Sequence, residues 1–404
     1  EFATFGTLGN VNFLSTFFGM TSVAYLALAS YSSFKFSSRS LLAALGLLDI
    51  YIAFSTGSIQ GVVIFIAGIF ALLAIRLRYF KGKIKISFIG LYLITLITSV
   101  TTGTLGLFNK GPLAQFLYQP SVIFRSDYIH AGWEMTLRKP LFGVGLDSYG
   151  DWYRETRGEI STLRTGVNRI SNSAHNIFLD VSSNGGLVLG LSFLAIVILA
   201  GISALKFLKT QSTFDPYFAA LASVWFAYQV QALVSINQIG VGIWGWILSG
   251  ALIGYGEISS RASDSQKTQI LNQKPKAVYR GAQLSARDSI ASISGFAIGL
   301  LIAAPPISAD IGYRAANLTG DIAQISEAVN ALGATQFHKE LALDFAMKNK
   351  QSETATLANE LVIEYPRSFF GWRVLSVLTE SSPQEREKAL IKARELDPFN
   401  PEVG

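Results

Sequence analysis

The chain contains no cysteine, which excludes a disulfide framework, an iron–sulfur cluster and any thiolate zinc site. Histidine is almost as scarce: His130, His175 and His338 leave little material for a histidine-rich metal centre. Charge is the third shortage. Only 15% of the 404 residues are charged while 50% are hydrophobic, against about 25% charged in a typical soluble domain. That balance excludes a soluble enzyme built on one core, and equally a disordered chain. Neither a Met nor a signal peptide opens the sequence at Glu1, so a processed or truncated piece is expected.

What is present is apolar and segmented. The charges come in clumps, separated by apolar runs of about 17–22 residues, the length a helix needs to cross a ~30 Å hydrocarbon core. Eight spans are expected, near 11–30, 38–55, 59–75, 86–106, 184–206, 216–236, 239–257 and 290–307. Cytoplasmic loops retain Lys and Arg, and here alternate connections are basic. They carry Lys35 and Arg39, then Arg76, Arg78, Lys81, Lys83 and Lys85, then Lys206 and Lys209. The last such connection carries Arg261, Lys267, Lys274, Lys276, Arg280 and Arg287. The remaining connections, including 107–183 and everything after 307, are then expected to face outward. The net charge of +6 at first suggests nucleic acid. Beside membrane helices, though, the basic stretch 258–289 reads as a topology-setting loop against anionic lipid.

Two regions are not membrane helices. Segment 107–183 is rich in Trp, Tyr and Arg and carries Lys110, Arg125, Arg138, Lys139, Arg154, Arg157, Arg164 and Arg169. It breaks the positive-inside pattern, and long structured loops concentrate function. Segment 308–404 has apolar residues at helical spacing, as in Ala355, Ala358, Leu361 and Val362, then Ala389, Leu390, Ala393 and Leu396. Pro366 and Pro398 stand 32 residues apart, close to the ~34-residue tetratricopeptide period. "EKALIKARELDPFNPE" resembles the second helix and exit turn of such a repeat; an unrelated small helical bundle is the alternative. The reading is an all-α chain. A polytopic transmembrane bundle with its large outer loop occupies 1–307, and a small repeat-like helical domain occupies 308–404.

The chemistry concentrates at the end of the loop. "SNSAHNIFLDVSSNGGLVLG" contains His175 and Asn176, then nine residues, then Gly186; upstream stands "RSDYIHAGWEMTLRKPLFGVGLDSYGDWYRE", from Arg125 to Glu155. Together these blocks resemble the O-antigen ligase family of membrane glycosyltransferases, which includes O-antigen polymerases and protein O-oligosaccharyltransferases. "GTLGNVNF" at 6–13 and "STGSIQG" at 55–61 also look like this family, and the resemblance covers about residues 6–257. Members have more than eight spans, which implies a missing N-terminal portion. Two positions depart from the family's pattern. Related sequences carry an Arg in the turn corresponding to "STGSIQG", where Ile59 and Gln60 stand here, and Leu189 replaces the small or aromatic residue three places after the motif glycine.

The resemblance implies transfer of a glycan from a polyprenyl diphosphate carrier to a glycan, lipid or protein acceptor, without metal or cofactor. Such a transfer needs a base poised near neutral pH, for which histidine is the natural group. It also needs cationic forks for the diphosphate. His175 is therefore the implied general base and Arg125 the principal diphosphate ligand. Arg138, Arg154, Arg157 and Asn176 are further substrate-binding candidates, with Arg164 and Arg169 weaker ones. Gly143, Gly145, Gly185 and Gly186 read as structural, serving tight turns and a break that sets the His-bearing segment apart. Trp133, Trp152 and Tyr153 fit either interfacial anchors or sugar-stacking platforms. Asp49, the only ionisable residue deep within a span, fits a function or a packing role. The tail would bind a protein partner or the acceptor. Ligase and polymerase are not separated. A small-anion transporter using the same arginines is the competing class, disfavoured because no internal repeats or paired broken spans are visible.

Overall fold

The computed structural model describes residues 6–269, 286–379 and 381–403. Much of the basic stretch 258–289 lies outside them. Among the described residues every regular element is helical. The helices are α1 (Val11–Ala29), α2 (Phe36–Ser55), α3 (Ile59–Arg78), α4 (Lys83–Leu107), α5 (Ala114–Leu117) and α6 (Pro120–Arg138). They continue with α7 (Tyr149–Thr156), α8 (Glu159–Thr165), α9 (Ile177–Thr210), α10 (Pro216–Ala232), α11 (Ile239–Gln269) and α12 (Ala286–Thr319). Five short helices close the chain: α13 (Ile322–Ala328), α14 (Gln336–Lys348), α15 (Thr354–Glu364), α16 (Phe369–Val377) and α17 (Pro383–Leu396).

Seven of these elements are long and apolar enough to cross a membrane: Val11–Ala29, Phe36–Ser55, Ile59–Arg78, Lys85–Leu107, Ile177–Thr210, Ile239–Glu257 and Ser289–Thr319. This is the pattern of a multi-pass helical membrane protein. The eighth expected span, 216–236, is a helix of 17 residues. Its 17 residues stand at the lower end of the ~17–25 that a spanning helix uses, and the alternation of basic connections requires it to cross. It packs deeply in the bundle, with Phe218, Ala219, Ala227, Tyr228 and Gln231 buried and Tyr217 and Phe226 exposed. The last span also runs further than 290–307, because Tyr313 and Ala316 continue it and pack with Ile325, Val329 and Ala342.

The chain divides into two compact units, Glu1–Gly150 with Ser171–Gln273, and Asp151–Ile170 with Lys274–Gly404. The expected boundary at 307 therefore falls inside α12, and the long loop is shared between units instead of belonging whole to the first.

In the first unit α1 is central. Small residues let its backbone touch α3: a Cβ at Gly61 would stand 2.0 Å from Ser15 Oγ, and one at Gly19 would stand 2.5 Å from the Gly61 carbonyl. Ser15 Oγ donates to the Ala53 and Ser58 carbonyls, both at 3.1 Å, and accepts from the Gly61 N–H. That bond set ties the 55–59 turn to α1. Asp49 accepts from Thr21 Oγ1 at 2.6 Å, so this membrane carboxylate has an α1 partner.

The second unit is built on Leu343, Ala346, Leu357, Ala358, Leu361, Val362, Val374, Leu375 and Ala389. Each of α14 to α17 packs on its neighbour in sequence. Ser382 opens α17 through a reciprocal cap with Glu385.

The local feature that shapes the first unit is a break in α9 at Gly186 (φ +76°). In an unbroken helix the Leu187 N–H would bond to the Ser183 carbonyl. Here it goes to Pro140 O at 2.7 Å, while Ser183 O and Asn184 O accept from Val144 and Gly145 at 2.8 and 3.1 Å. "PLFGVG" is thus the segment that satisfies the interrupted helix. Glycine is required on both sides of this contact: a Cβ at Gly143 (φ +69°) would lie 2.4 Å from the Asn184 carbonyl oxygen, and one at Gly186 of α9 would lie 2.1 Å from Leu141 O.

Gly186→Ala should accordingly destabilise the first unit. Left-handed strain alone costs about 1–3 kcal/mol, and the Leu141 carbonyl must also move. Gly103→Ala, whose Cβ meets nothing within 4 Å, should leave stability unchanged or raised. Thermal unfolding of the purified protein in detergent compares the two; equal Tm values would refute the role given to the break.

Candidate functional site

Helix α6 starts with Pro120 and buries one face, comprising Tyr128, Ala131, Gly132, Met135 and Thr136. That face meets the start of α9: a Cβ on Gly132 would stand 3.1 Å from Ala174 Cβ and 3.2 Å from Leu179. Arg125 precedes Tyr128 by three residues and so shares its side of the helix. Tyr149 Oη donates to the Tyr128 carbonyl and fixes the loop beyond α6.

His175 sits on the turn into α9. Its backbone is left-handed (φ +52°), uncommon for a residue with a Cβ. The turn is over-determined: Ser171 Oγ donates to Ser173 O at 2.7 Å, and the Ala174 N–H donates to Asp180 Oδ1 at 3.0 Å. The Asn176 side chain caps α9 by accepting from the Leu179 N–H at 3.1 Å. A strained residue held by so many bonds is the usual setting of a functional side chain. The imidazole lies against the Tyr128 ring, centroids 5.0 Å apart and planes 32° apart.

Burial lowers the His175 pKa to about 4, with the nearby Arg125 charge as the second cause. The ring is therefore neutral at pH 7. Burial also lowers the Arg125 pKa from its ordinary 12.5, yet a guanidinium stays charged in proteins. Its partner is an amide: Arg125 Nη2 donates to Gln60 Oε1 at 3.3 Å. Gln60 Nε2 donates to Gln231 Oε1 at 2.5 Å, and Thr16 Oγ1 donates to the same oxygen at 3.1 Å. Arg125 Nε is buried and makes no hydrogen bond among the described residues. No carboxylate there forms an ion pair with it. The result is a cation without a counter-charge beside a neutral imidazole.

The other expected ligands are elsewhere. Arg138 is exposed in the last turn of α6, 13 residues and so about 20 Å along the axis from Arg125. Arg154 and Arg157 belong to the second unit, where both pair with Asp397, at 3.0 and 2.7 Å. The Arg157 and Asp397 side chains are fully buried (0% exposed). Arg157 also donates to the Arg169 and Val167 carbonyls. These two arginines hold the loop to the tail's exit turn, and buried charges of this kind persist only when paired. They are not available to a diphosphate. Arg164 and Arg169 are exposed in the same unit. Asn176 is a capping residue: its Oδ1 serves α9 and its Nδ2 donates to Leu233 O at 3.2 Å.

The aromatic residues divide. Trp133 is exposed, Tyr153 is fully buried, and Trp152 is stacked by Arg367 at 3.6 Å. His338 caps α14, accepting from the Thr335 N–H. By sequence Gln60 stands out only as a departure from a family arginine, and Gln231 and Asp397 carry no motif that marks them as site residues. The faint signals were an amide inside an apolar span for Gln231 and the "DPFNP" turn for Asp397.

Residues 41–194 match the family described as O-antigen ligase. The match contains Gln60, Arg125, His175, Asn176 and Gly186 and ends before Gln231. It supports a membrane enzyme of the O-antigen ligase and polymerase kind, with glycosyl-transfer activity. None of the curated proteins matches the chain.

Two outcomes follow from this geometry. Asp397→Ala leaves the Arg157 guanidinium buried and unpaired, at a cost of about 3–5 kcal/mol. Limited trypsinolysis should then cut faster at Arg164 and Arg169, and an unchanged cleavage rate would contradict the clamp. The second concerns pH. Between 6.5 and about 4 the unfolded chain binds a proton at His175 that the folded chain refuses. Stability from this group is therefore fully present above pH 6.5 and is lost as pH falls toward 4. Unfolding of His175→Ala should lack that component of the pH dependence.

Proposed function

We propose that the chain is a glycan transferase of the outer membrane-surface kind, with polyprenyl-diphosphate-linked glycan as donor. The observation that carries this reading is the uncompensated Arg125 beside a neutral, half-buried His175. One group suits a developing diphosphate anion, the other a hydroxyl proton. The match to the O-antigen ligase family supports the reaction class.

In this reading the acceptor hydroxyl attacks the anomeric carbon of the donor sugar. Its proton passes to the free imidazole nitrogen of His175. The bond between that carbon and the diphosphate oxygen breaks with its electron pair, and Arg125 stabilises the departing lipid diphosphate. A single displacement inverts the anomeric centre. A pKa near 4 is low for a base, but the donor itself corrects it: a bound diphosphate offsets the Arg125 charge and adds negative charge beside the ring. Both effects raise the imidazole toward the pH at which general bases work best. No metal is needed for these steps, since the guanidinium supplies the positive charge.

Topology supports the compartment. The basic connections described above favour an extracytoplasmic position for the loop ends and the residues after α12, in the plasma or inner membrane. The tail reads as a tetratricopeptide-like helical domain that binds the acceptor or a protein partner.

The test is genetic and chemical. In a strain lacking its own gene, the wild-type chain should build full surface glycan, and His175→Ala and Arg125→Ala should reduce transfer by about 10²-fold or more. Arg138→Ala should be close to wild type. Mass spectrometry of surface glycans reads the result: undecorated acceptor with long donor-linked chains marks a ligase, single repeat units a polymerase. Full glycan in the His175 and Arg125 variants, with normal insertion, would end this reading.

A further inference from the structure

Four polar side chains from four helices form one directed chain: the buried Thr16 of α1, Gln231 of α10 and Gln60 of α3, and the half-buried Arg125 of α6. Their order is fixed by chemistry. A guanidinium only donates, so Gln60 must present its oxygen to Arg125 and its nitrogen to Gln231. Gln231 must then present its own oxygen, which also receives the Thr16 hydroxyl. Thr16 is 0%, Gln231 1% and Gln60 7% exposed. Polar groups so placed gain little over well-packed apolar ones of the same size. Their use is directional.

The identity of residue 60 matters more than its bond. A carboxylate in the same place would form a buried ion pair and cancel the guanidinium charge. An amide of the same shape orients the guanidinium and leaves that charge whole. It also engages only Nη2, while Nε stays buried without a hydrogen bond.

We propose that Gln60, held by Gln231 and Thr16, is the positioning and charge-preserving residue of an anion site at Arg125. It fixes the fork while keeping the full cation for a phosphate-bearing ligand. The inference rests on Arg125 as the diphosphate group of the proposed function and adds how that group is aimed and why it stays unneutralised.

The experiment uses the full chain in detergent micelles with farnesyl diphosphate as probe and farnesol as control. Gln60→Glu is the decisive variant, because it keeps shape and packing while adding a charge. Binding of farnesyl diphosphate should weaken by about tenfold or more, the worth of a charge-assisted hydrogen bond, with farnesol unaffected. A purely structural role predicts the opposite, since the new carboxylate paired with Arg125 would tighten the core and leave binding unchanged. The second readout is the His175 titration, resolved by NMR among three histidines. The titratable groups around the ring are Arg125 and Tyr128 of α6 and Asp180 of α9, which takes the Ala174 N–H. Of these, residue 60 touches Arg125. His175 should titrate near 4 in the wild type and higher in Gln60→Glu.

Unchanged probe binding in Gln60→Glu, with the wild type binding, overturns the inference and leaves the proposed function standing. If wild type and Arg125→Ala both fail to bind the probe, the diphosphate reading falls. The His175 titration then still decides for or against Gln60 as the residue that preserves the Arg125 charge. Should Gln60→Glu not fold, Gln231→Met removes the hold on Gln60 without touching it. It should weaken probe binding in the same direction, and wild-type binding there would overturn the inference.

Discussion

A helix interrupted at one glycine organises the first unit. At Gly186 the chain leaves helical geometry and releases two carbonyls and one N–H that α9 would otherwise keep to itself. In a protein interior such groups must find partners, and the "PLFGVG" segment supplies them. Docking that segment sets the loop beyond α6, and α6 packs on the short first part of α9. His175 rides on the N-terminal end of that part and Arg125 on the face of α6 turned to it. The two residues with the most suggestive chemistry are thus brought together by backbone hydrogen bonding some ten residues away.

The charges of the long loop follow different physics in its different parts. Arg154 and Arg157 meet a buried Asp397, where desolvation is tolerable only because cation and anion share it. Arg125 is half-buried, and an amide, Gln60, meets it in place of an acid. The first arrangement neutralises charge and fastens a loop to a helical domain. The second leaves the cation without a carboxylate partner among the described residues, which suits the anion site proposed above. Eight basic residues in one loop therefore do not form one patch; their partners divide them into structure and site.

His175 and Arg125 are linked in turn. The cation keeps the imidazole unprotonated in the free protein, and an anion that occupies the cation relieves that pressure. Under the proposed function, a ligand anion at Arg125 would let the histidine charge most readily when the site is occupied, tying proton transfer to occupancy without any movement of the backbone.

Much of this was legible in the amino-acid order. Long apolar runs can only become helices in a membrane, because no water is there to satisfy exposed backbone, so the helical class and most spans could be read directly. His175, Arg125 and the glycines of the break were visible as a pattern in a loop. What linear order could not supply was the partner of each charge. Asp397 lies 240 residues from Arg157, and Gln231 lies 171 from Gln60. Composition counts the arginines alike, and helical periodicity reports a face without naming what covers it. Tertiary structure alone decided that 216–232 packs deeply between its neighbours and that two loop arginines are clamps. It also decided that Arg125 keeps its charge, because electrostatic energy depends on distance and burial, which only the folded chain sets.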